Sequence, residues 1–408
     1  MYNDLIRFNV ALKSGVNPDT ITPMLPALPS KTNPELNQLV VDVIRSSAAL
    51  GRGIHPLVLE EIAQFMTKVN SYYTNAMEGN PTRLRDIEAA LHKHLSKEKS
   101  VRDFQLEHVA HVRVQEEMMR RLRNEPGLRI CSRGFLCWLH EQFYLRLPPD
   151  MRFAKTMGGR LVPVEPGRLR GGGITVGAHD APEKEGDIVS HLDKLEEFLS
   201  PEELVGPDKV LGMASSHHRF LWIHPFPDGN GRVARLLTTA FGVRIGVGEN
   251  LLWTVARAFA SRRREYDDHL AGADQPRKND WDGRGPLSEE GLTRFCAFFL
   301  TCCLDQILFM NQMLKLEDLE RRYMGFVGGL SNEKRVSKAG RKVMERLFAR
   351  GNIARSEIIS VCGVKRRRAT QIIRELLDGK LVRSETPYGD LKLNLSVDMA
   401  AVLFPGLV

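Results

Sequence analysis

One short stretch of the chain concentrates side chains that can do chemistry: His224-Pro225-Phe226-Pro227-Asp228-Gly229-Asn230-Gly231-Arg232-Val233-Ala234-Arg235. It holds an imidazole, a carboxylate, a Gly-Asn-Gly turn and two guanidiniums. Glycines let the backbone adopt φ > 0 and come close to an anion. Successive N–H groups in such a turn form a concave nest, and the N-terminus of a following helix adds the positive end of its dipole. Arg232 and Arg235 are three apart, so on that helix they share a face and can reach successive phosphates. Asp228 offers hard oxygens suited to Mg²⁺. His224 can hold or accept a proton near neutral pH. Together these groups suit a nucleotide phosphate.

The flanking segments must position them. A helix predicted from Val210 ends in the apolar approach Phe220-Leu221-Trp222-Ile223, and a helix-forming run from Arg232 to Ala240 leaves the turn. His217 and His218 read as packed structural histidines, and 236–247 reads as core. Upstream, amphipathic helices are predicted over 130–145 and 187–199. Between them Pro148-Pro149, Gly158-Gly159, Pro166-Gly167 and Gly171-Gly172-Gly173 break any helix. Short strands over 160–164 and 173–177 are predicted around a turn there, a flap able to pair with an extended segment of a target. Downstream come one helix over 256–270, a polar loop over 274–285 and a buried helix over 291–314.

Near the start, Pro23, Pro26, Pro29 and Pro34 mark an extended strap, followed by a helix carrying Leu39 to Leu50 and a second running from His55 to about Tyr73. The second finishes at Glu78-Gly79-Asn80-Pro81, where Gly can take the left-handed position and Pro forbids continuation. A carboxylate at a helix C-terminus opposes the dipole, so Glu78 should find a cation elsewhere. Thr82 is predicted to cap the next helix, and another spans 101–122. His108 and His111 lie three apart on it, but no third metal ligand has matching spacing, so hydrogen bonding is expected of them.

The stretch His224–Arg235 resembles the Fic family signature, H-P-F-x-[D/E]-G-N-G-R-x-x-R, at every fixed position. Thr74, Glu78 and Gly79 resemble the inhibitory motif of that family, [S/T]-x-x-x-E-[G/N]. The resemblance implies a mainly α fold, a helical bundle with one β-hairpin flap. It also implies transfer of AMP from ATP to a Ser, Thr or Tyr hydroxyl of a protein. His224 would be the general base, Asp228 the Mg²⁺ ligand, and Gly229, Asn230 and Gly231 the phosphate cradle. Arg232 and Arg235 would neutralise the β- and γ-phosphates, and Glu78 would pair with Arg235 and deny the γ-phosphate its seat. Ile174, Thr175 and Val176 would form the flap. Tyr266 matches the first of a tyrosine pair near the adenine, with Asp267 in place of the second. The alternative readings of the same site are transfer of another nucleotide-derived group, or removal of AMP with Glu78 positioning water.

Composition sets the frame. Hydrophobic residues make up 42% and charged residues 26%, ordinary for a globular protein of two or three domains. No apolar run approaching the roughly 18 residues of a membrane span stands out, nor does a signal-peptide layout. The six cysteines form no C-x-x-C pair and read as buried thiols of a cytoplasmic protein without a membrane partner. The net charge of +8 is uneven: 331–383 holds 15 Lys/Arg against 5 Asp/Glu, a local +10, leaving about −2 for the remainder. That basic segment reads as helix, helix–Gly turn–helix and hairpin, a winged helix-turn-helix over 331–408. Its third helix would offer Lys365, Arg366, Arg367 and Arg368 to DNA, with a protein-binding role as the alternative. The expected organisation is thus an N-terminal helical region (1–125) with the inhibitory segment 71–80, a catalytic core (126–325) and the winged module. ATP and Mg²⁺ are the expected small partners; the target protein and self-association stay open.

Overall fold

Amphipathic helices carry most of this chain, and a computed structural model describes them over residues 24–29, 33–155, 159–176, 179–248 and 251–407. Pro23, Gly158 and Gly177 lie outside the described residues. What is described of the proline strap is anchored: Pro26 O accepts from Nη2 of the fully buried Arg219 at 2.8 Å.

Helix α1 (Pro34–Ser47) is capped by Asn33, whose side chain accepts from Glu35 N–H at 2.9 Å. Helix α2 (Pro56–Met77) runs unbroken past Tyr73 to a C-cap at Glu78, the terminus expected from Glu78-Gly79-Asn80-Pro81. Its last turns look polar in sequence, but Ser71, Thr74 and Asn75 are buried. Ser71 Oγ and Asn75 Nδ2 meet His108 Nδ1 at 3.1 and 3.2 Å. Helix α3 (Leu84–Leu91) starts without the predicted Thr82 cap, because that hydroxyl donates to Asn80 Oδ1 at 2.7 Å. Helices α4 (Lys99–Asn124) and α5 (Arg133–Leu145) follow.

The single predicted hairpin is two. Strand β1 (Phe153–Lys155) pairs with β2 (Leu161–Pro163), and β3 (Ile174–Val176) pairs with β4 (His179–Ala181), both antiparallel. The two predicted strands cannot join each other because the chain between them is tied down elsewhere. Val164 is buried, and Arg170 N–H donates to Pro225 O at 2.9 Å.

Helices α6 (Glu185–Leu199), α7 (Asp208–Ile223) and α8 (Asn230–Arg244) follow as predicted within a few residues. The single helix expected next is broken into α9 (Val255–Ser261) and α10 (Arg263–Asp274). The break is at Arg262, whose guanidinium pairs with Asp305. Asp274 therefore ends a helix and does not open a loop. Helix α11 (Glu289–Met313) packs on α1, α7, α9 and α10. By length and composition α11 could cross a membrane, contrary to the sequence reading, but its Phe295, Phe299, Leu300 and Ile307 are fully buried in this core.

Helix α12 (Leu316–Asn332), not anticipated from the sequence, leads into the C-terminal segment and donates Tyr323 Oη to Met344 O at 3.0 Å. There follow α13 (Lys338–Arg350), β5 (Asn352–Ile353), α14 (Glu357–Cys362), α15 (Arg366–Asp378), β6 (Val382–Arg383), β7 (Leu391–Leu393) and α16 (Val397–Leu403). The strands form one antiparallel sheet in the order β5-β7-β6. This segment grips helix α2 along its length. The Arg383 guanidinium pairs with both oxygens of the buried Glu61, and Tyr73 Oη donates to Leu407 O at 2.7 Å. All six cysteines are free, four of them buried.

Candidate active site

Helix α7 ends at Ile223, and the next residue, His224, takes a left-handed conformation (φ 48°, ψ 59°). Its N–H still donates to Phe220 O at 3.0 Å, so the chain turns sharply while keeping the last helical bond. Nδ1 lies 3.3 Å from Leu221 O, and since a carbonyl only accepts, Nδ1 carries the proton and Nε2 is left as acceptor. Burial disfavours the imidazolium and lowers the His224 pKa to about 4. The ring is therefore neutral at pH 7, the state required of a base.

The loop after His224 is locked from both sides. Asn230 Oδ1 accepts from Phe226 N–H at 3.0 Å, and Nδ2 donates to Phe226 O at 2.8 Å. The Asn230 side chain is thus spent on loop closure, and only its backbone can contribute to an anion cradle. Phe226 is fully buried and stacks on His140 with ring centroids 4.0 Å apart. His140 in turn accepts from Gly167 N–H at 2.9 Å, tying the segment before β3 to the loop.

Helix α8 opens at Asn230 with Gly229 as its N-cap (φ 80°), and no side chain caps the first turn. Its first N–H groups and positive dipole end therefore form an anion site. Side chains at these glycines would meet close neighbours. A Cβ at Gly229 would lie 3.1 Å from the Tyr144 ring, and one at Gly231 would lie 2.5 Å from Glu78 Oε1.

Glu78 is the C-cap of α2, with Gly79 beyond it at φ 85°. Its carboxylate pairs with Arg235, whose Nη2 also donates to Thr74 O at 3.2 Å. Burial would raise the Glu78 pKa, but the charges of Arg235 and Arg232 outweigh it and the net shift is downward. A carboxylate of the chain thus sits over Gly231, at the N-terminus of α8, where an anion would be held. Arg263 donates to Met77 O and fixes the end of α2 from the other side.

Arg232 and Arg235 are both buried, but they do not turn to the same partner. Arg232 lies over the Phe143 ring at 4.8 Å, with Asp228 at 3.9 Å and Glu107 at 4.0 Å. The Nε atoms of both arginines are buried without a hydrogen-bond partner among the described residues. Asp228 accepts from Tyr144 Oη, which orients the carboxylate while its side chain stays 42% exposed. One partly exposed carboxylate beside a phosphate cradle fits Mg²⁺, which keeps several waters and takes its remaining ligands from substrate phosphates. No group of three or more His, Cys, Asp or Glu side chains among the described residues would hold a metal alone.

Residues 131–242 match the model of the Fic/DOC family. The chain carries a Fic/DOC domain. Curated relatives named protein adenylyltransferase Fic align over this part. The one from Drosophila erecta is 35% identical over 120 residues, 29% of this chain and 24% of that protein. The one from Culex quinquefasciatus is 32% identical over 132 residues, 32% of this chain and 25% of that protein. The chain thus spans about a quarter of the length of these relatives. Among solved structures, a Fic family protein from Desulfovibrio desulfuricans shares the fold at a TM-score of 0.52 and 17% identity, covering 90% of this chain and 98% of that one.

The Fic/DOC domain runs from the start of α5 to α8 and includes both hairpins. Glu78, Thr74 and Gly79 lie outside the match, yet α2 packs directly on α8. Within the flap, Ile174 and Val176 are half-buried and Thr175 is exposed, its hydroxyl donating to Asp180 at 2.9 Å. Tyr266 is not placed to offer a face to a base. It is buried, stacks on Phe259, and its hydroxyl meets His217 Nε2 at 2.8 Å. Lys365, Arg366, Arg367 and Arg368 are exposed together at the start of α15, in the C-terminal segment outside the domain match. Tyr144, His140 and His179 carry no local pattern that marks them, because they meet Asp228, Phe226 and Trp222 across 84, 86 and 43 residues of chain. Arg170 stands in the sequence pattern Pro166-Gly167-x-x-Arg170 before the flap, and its hold on the carbonyls of Ile223 and His224 appears only in the fold.

Proposed function

We propose that this chain transfers AMP from ATP to a Ser, Thr or Tyr hydroxyl of a protein, itself included, and that Glu78 holds the activity down. The observation that carries this is the Glu78 carboxylate on Arg235 at the uncapped N-terminus of α8, an anion site held by the chain's own anion. In this reading the α8 backbone N–H groups and Arg235 receive the terminal phosphates when Glu78 withdraws, with Arg232 beside them. His224 Nε2 takes the proton of the attacking hydroxyl. The hydroxyl oxygen bonds to the α-phosphorus, the bond from that phosphorus to the α–β bridging oxygen breaks, and pyrophosphate leaves with the electron pair. Asp228 would hold Mg²⁺, which supplies charge neutralisation to the phosphates. Removal of AMP, with Glu78 orienting water, would use the same atoms; incubation with an AMP-modified protein separates the two directions. The test is labelled AMP incorporation by Glu78→Gly, with loss on adding His224→Ala. Glu78→Gly without incorporation from ATP overturns the reading.

A second activity is favoured by the C-terminal segment. The order helix, strand, helix, turn, helix, hairpin supports reading this segment as a winged helix, and α15 exposes four consecutive cations at its start. We propose that this face binds duplex DNA through its phosphates. Binding should weaken with salt and survive His224→Ala. Neutralising Arg366, Arg367 and Arg368 should lower the log–log salt slope by about 0.9 for each phosphate left without its cation; an unchanged slope would point to a protein partner.

A further inference from the structure

Four consecutive carbonyls close helix α7 and begin the active-site loop, and each is taken by one of two residues that bracket strand β3. His179, at the start of β4, has Nε2 3.0 Å from Trp222 O. Arg170, just before β3, donates Nη2 to Ile223 O at 3.2 Å, Nε to His224 O at 2.7 Å and its backbone N–H to Pro225 O at 2.9 Å. The last carbonyls of a helix lack intrahelical donors. Here they are oriented as a set, around a non-glycine residue in the left-handed region that few such residues adopt.

Both residues are themselves fixed. Arg170 is buried, and Nη1 donates to Gly172 O at the foot of β3. The His179 ring lies flat against Trp222, with centroids 5.5 Å apart, and Nδ1 sits 3.1 Å from Asp274 Oδ2 at the end of α10. Asp274 Oδ1 is 3.1 Å from His218 Nε2, one and a half turns before His224 on α7. Arg170 and His179 are therefore rigid donors, in contrast to mobile surface cations.

We propose that Arg170 and His179 are positioning residues for His224. By holding the carbonyls of Trp222 to Pro225 they keep His224 left-handed, its Nδ1–H on Leu221 O and its Nε2 free to accept a proton. The inference rests on the reading of His224 as general base. It also joins the flap to that base, because the residues that hold the loop bracket the strand that would meet a target protein. A lysine at 170 keeps the positive charge but not the planar fork that spans adjacent carbonyls.

The test uses the full chain carrying Glu78→Gly. Arg170→Lys should lower kcat about tenfold to a hundredfold, as expected for a displaced base, with KM for ATP within about twofold. In parallel, ¹⁵N NMR of the ring nitrogens identifies the His224 signal as the one missing in His224→Ala. It should show a single Nδ1–H tautomer in the parent and a mixture with Nε2–H in Arg170→Lys. The charged neighbours of His224 are Arg170, His179 and Asp228, and this substitution leaves all three charges in place. His179→Gln, which loosens the hold on one carbonyl and leaves Asp274 without its His179 partner, should move both readouts the same way by less. An Arg170→Lys protein with the parent tautomer and parent kcat overturns the proposal, as does a rise in KM that matches the fall in kcat. A parent that transfers no AMP overturns the transferase reading alone, and the tautomer still decides whether Arg170 positions His224.

Discussion

Replacing Glu78 by Gly removes the anion that the protein places at the N-terminus of α8, the proposed phosphate site. Oε1 of Glu78 bonds to Arg235, whose side chain is 3% exposed, while the Glu78 side chain keeps 28% exposure. A charge-assisted hydrogen bond in such a setting is worth about 1.5–3 kcal/mol net of desolvation. A terminal phosphate must displace that bond to reach Arg235. At about 1.4 kcal/mol per decade, removing it should raise the rate of AMP incorporation roughly ten- to hundredfold at subsaturating ATP. The backbone should tolerate the change, since residue 78 is a helix C-cap that glycine accepts well. Initial rates with α-labelled ATP and Mg²⁺ would be compared for the wild type, Glu78→Gly and Glu78→Gln. Gln keeps the length of the side chain but not its charge, so an intermediate rate is expected. Equal rates in all three would refute competition for Arg235, and a wild-type rate in Glu78→Gln would show that bulk at position 78, not charge, sets the activity.

The neutral form of His224 is favoured by burial, so kcat/KM in the Glu78→Gly background should stay flat as pH falls from 7 and decline only near the lowered value of about 4; a decline centred near the ordinary imidazole value of about 6.5 would contradict this. Gly229→Ala puts a side chain at φ 80° and against the Tyr144 ring, which should cost about 1–3 kcal/mol by denaturant unfolding. Arg383→Ala strips the partner from Glu61, a residue 4% exposed, and should destabilise by about 3–5 kcal/mol. Arg383→Met with Glu61→Gln should recover most of that loss, and no recovery would show that the pair acts through something other than its charges.

Local chemistry made the centre of this site legible without coordinates. A phosphate cradle needs φ > 0, N–H groups and a helix start within a few residues, so Gly229 to Arg235 had to be contiguous. Helices were legible for a similar reason, because apolar periodicity follows from burying one face. Less was legible where the fold overrides local propensity. The run 71–77 looks polar until α4 covers Ser71, Thr74 and Asn75, and 256–270 reads as one helix although Arg262 leaves the helical region (φ −119°, ψ 40°) between α9 and α10.

By itself, then, the sequence determined the Gly-Asn-Gly turn before α8, the imidazole beside it, the helical class of the fold and the end of α2 at Glu78. The pairing of Glu78 with Arg235, 157 residues away in the chain, was implied only by the family resemblance, and the tertiary structure brings the two side chains together. It also decided that Tyr266 is buried against His217 and that Arg170 and His179 take the carbonyls around His224. The physical reason is shared. Conformational preference is written in neighbouring residues, whereas the partner of a buried charge or carbonyl is chosen by whichever donor the packing brings within about 3 Å.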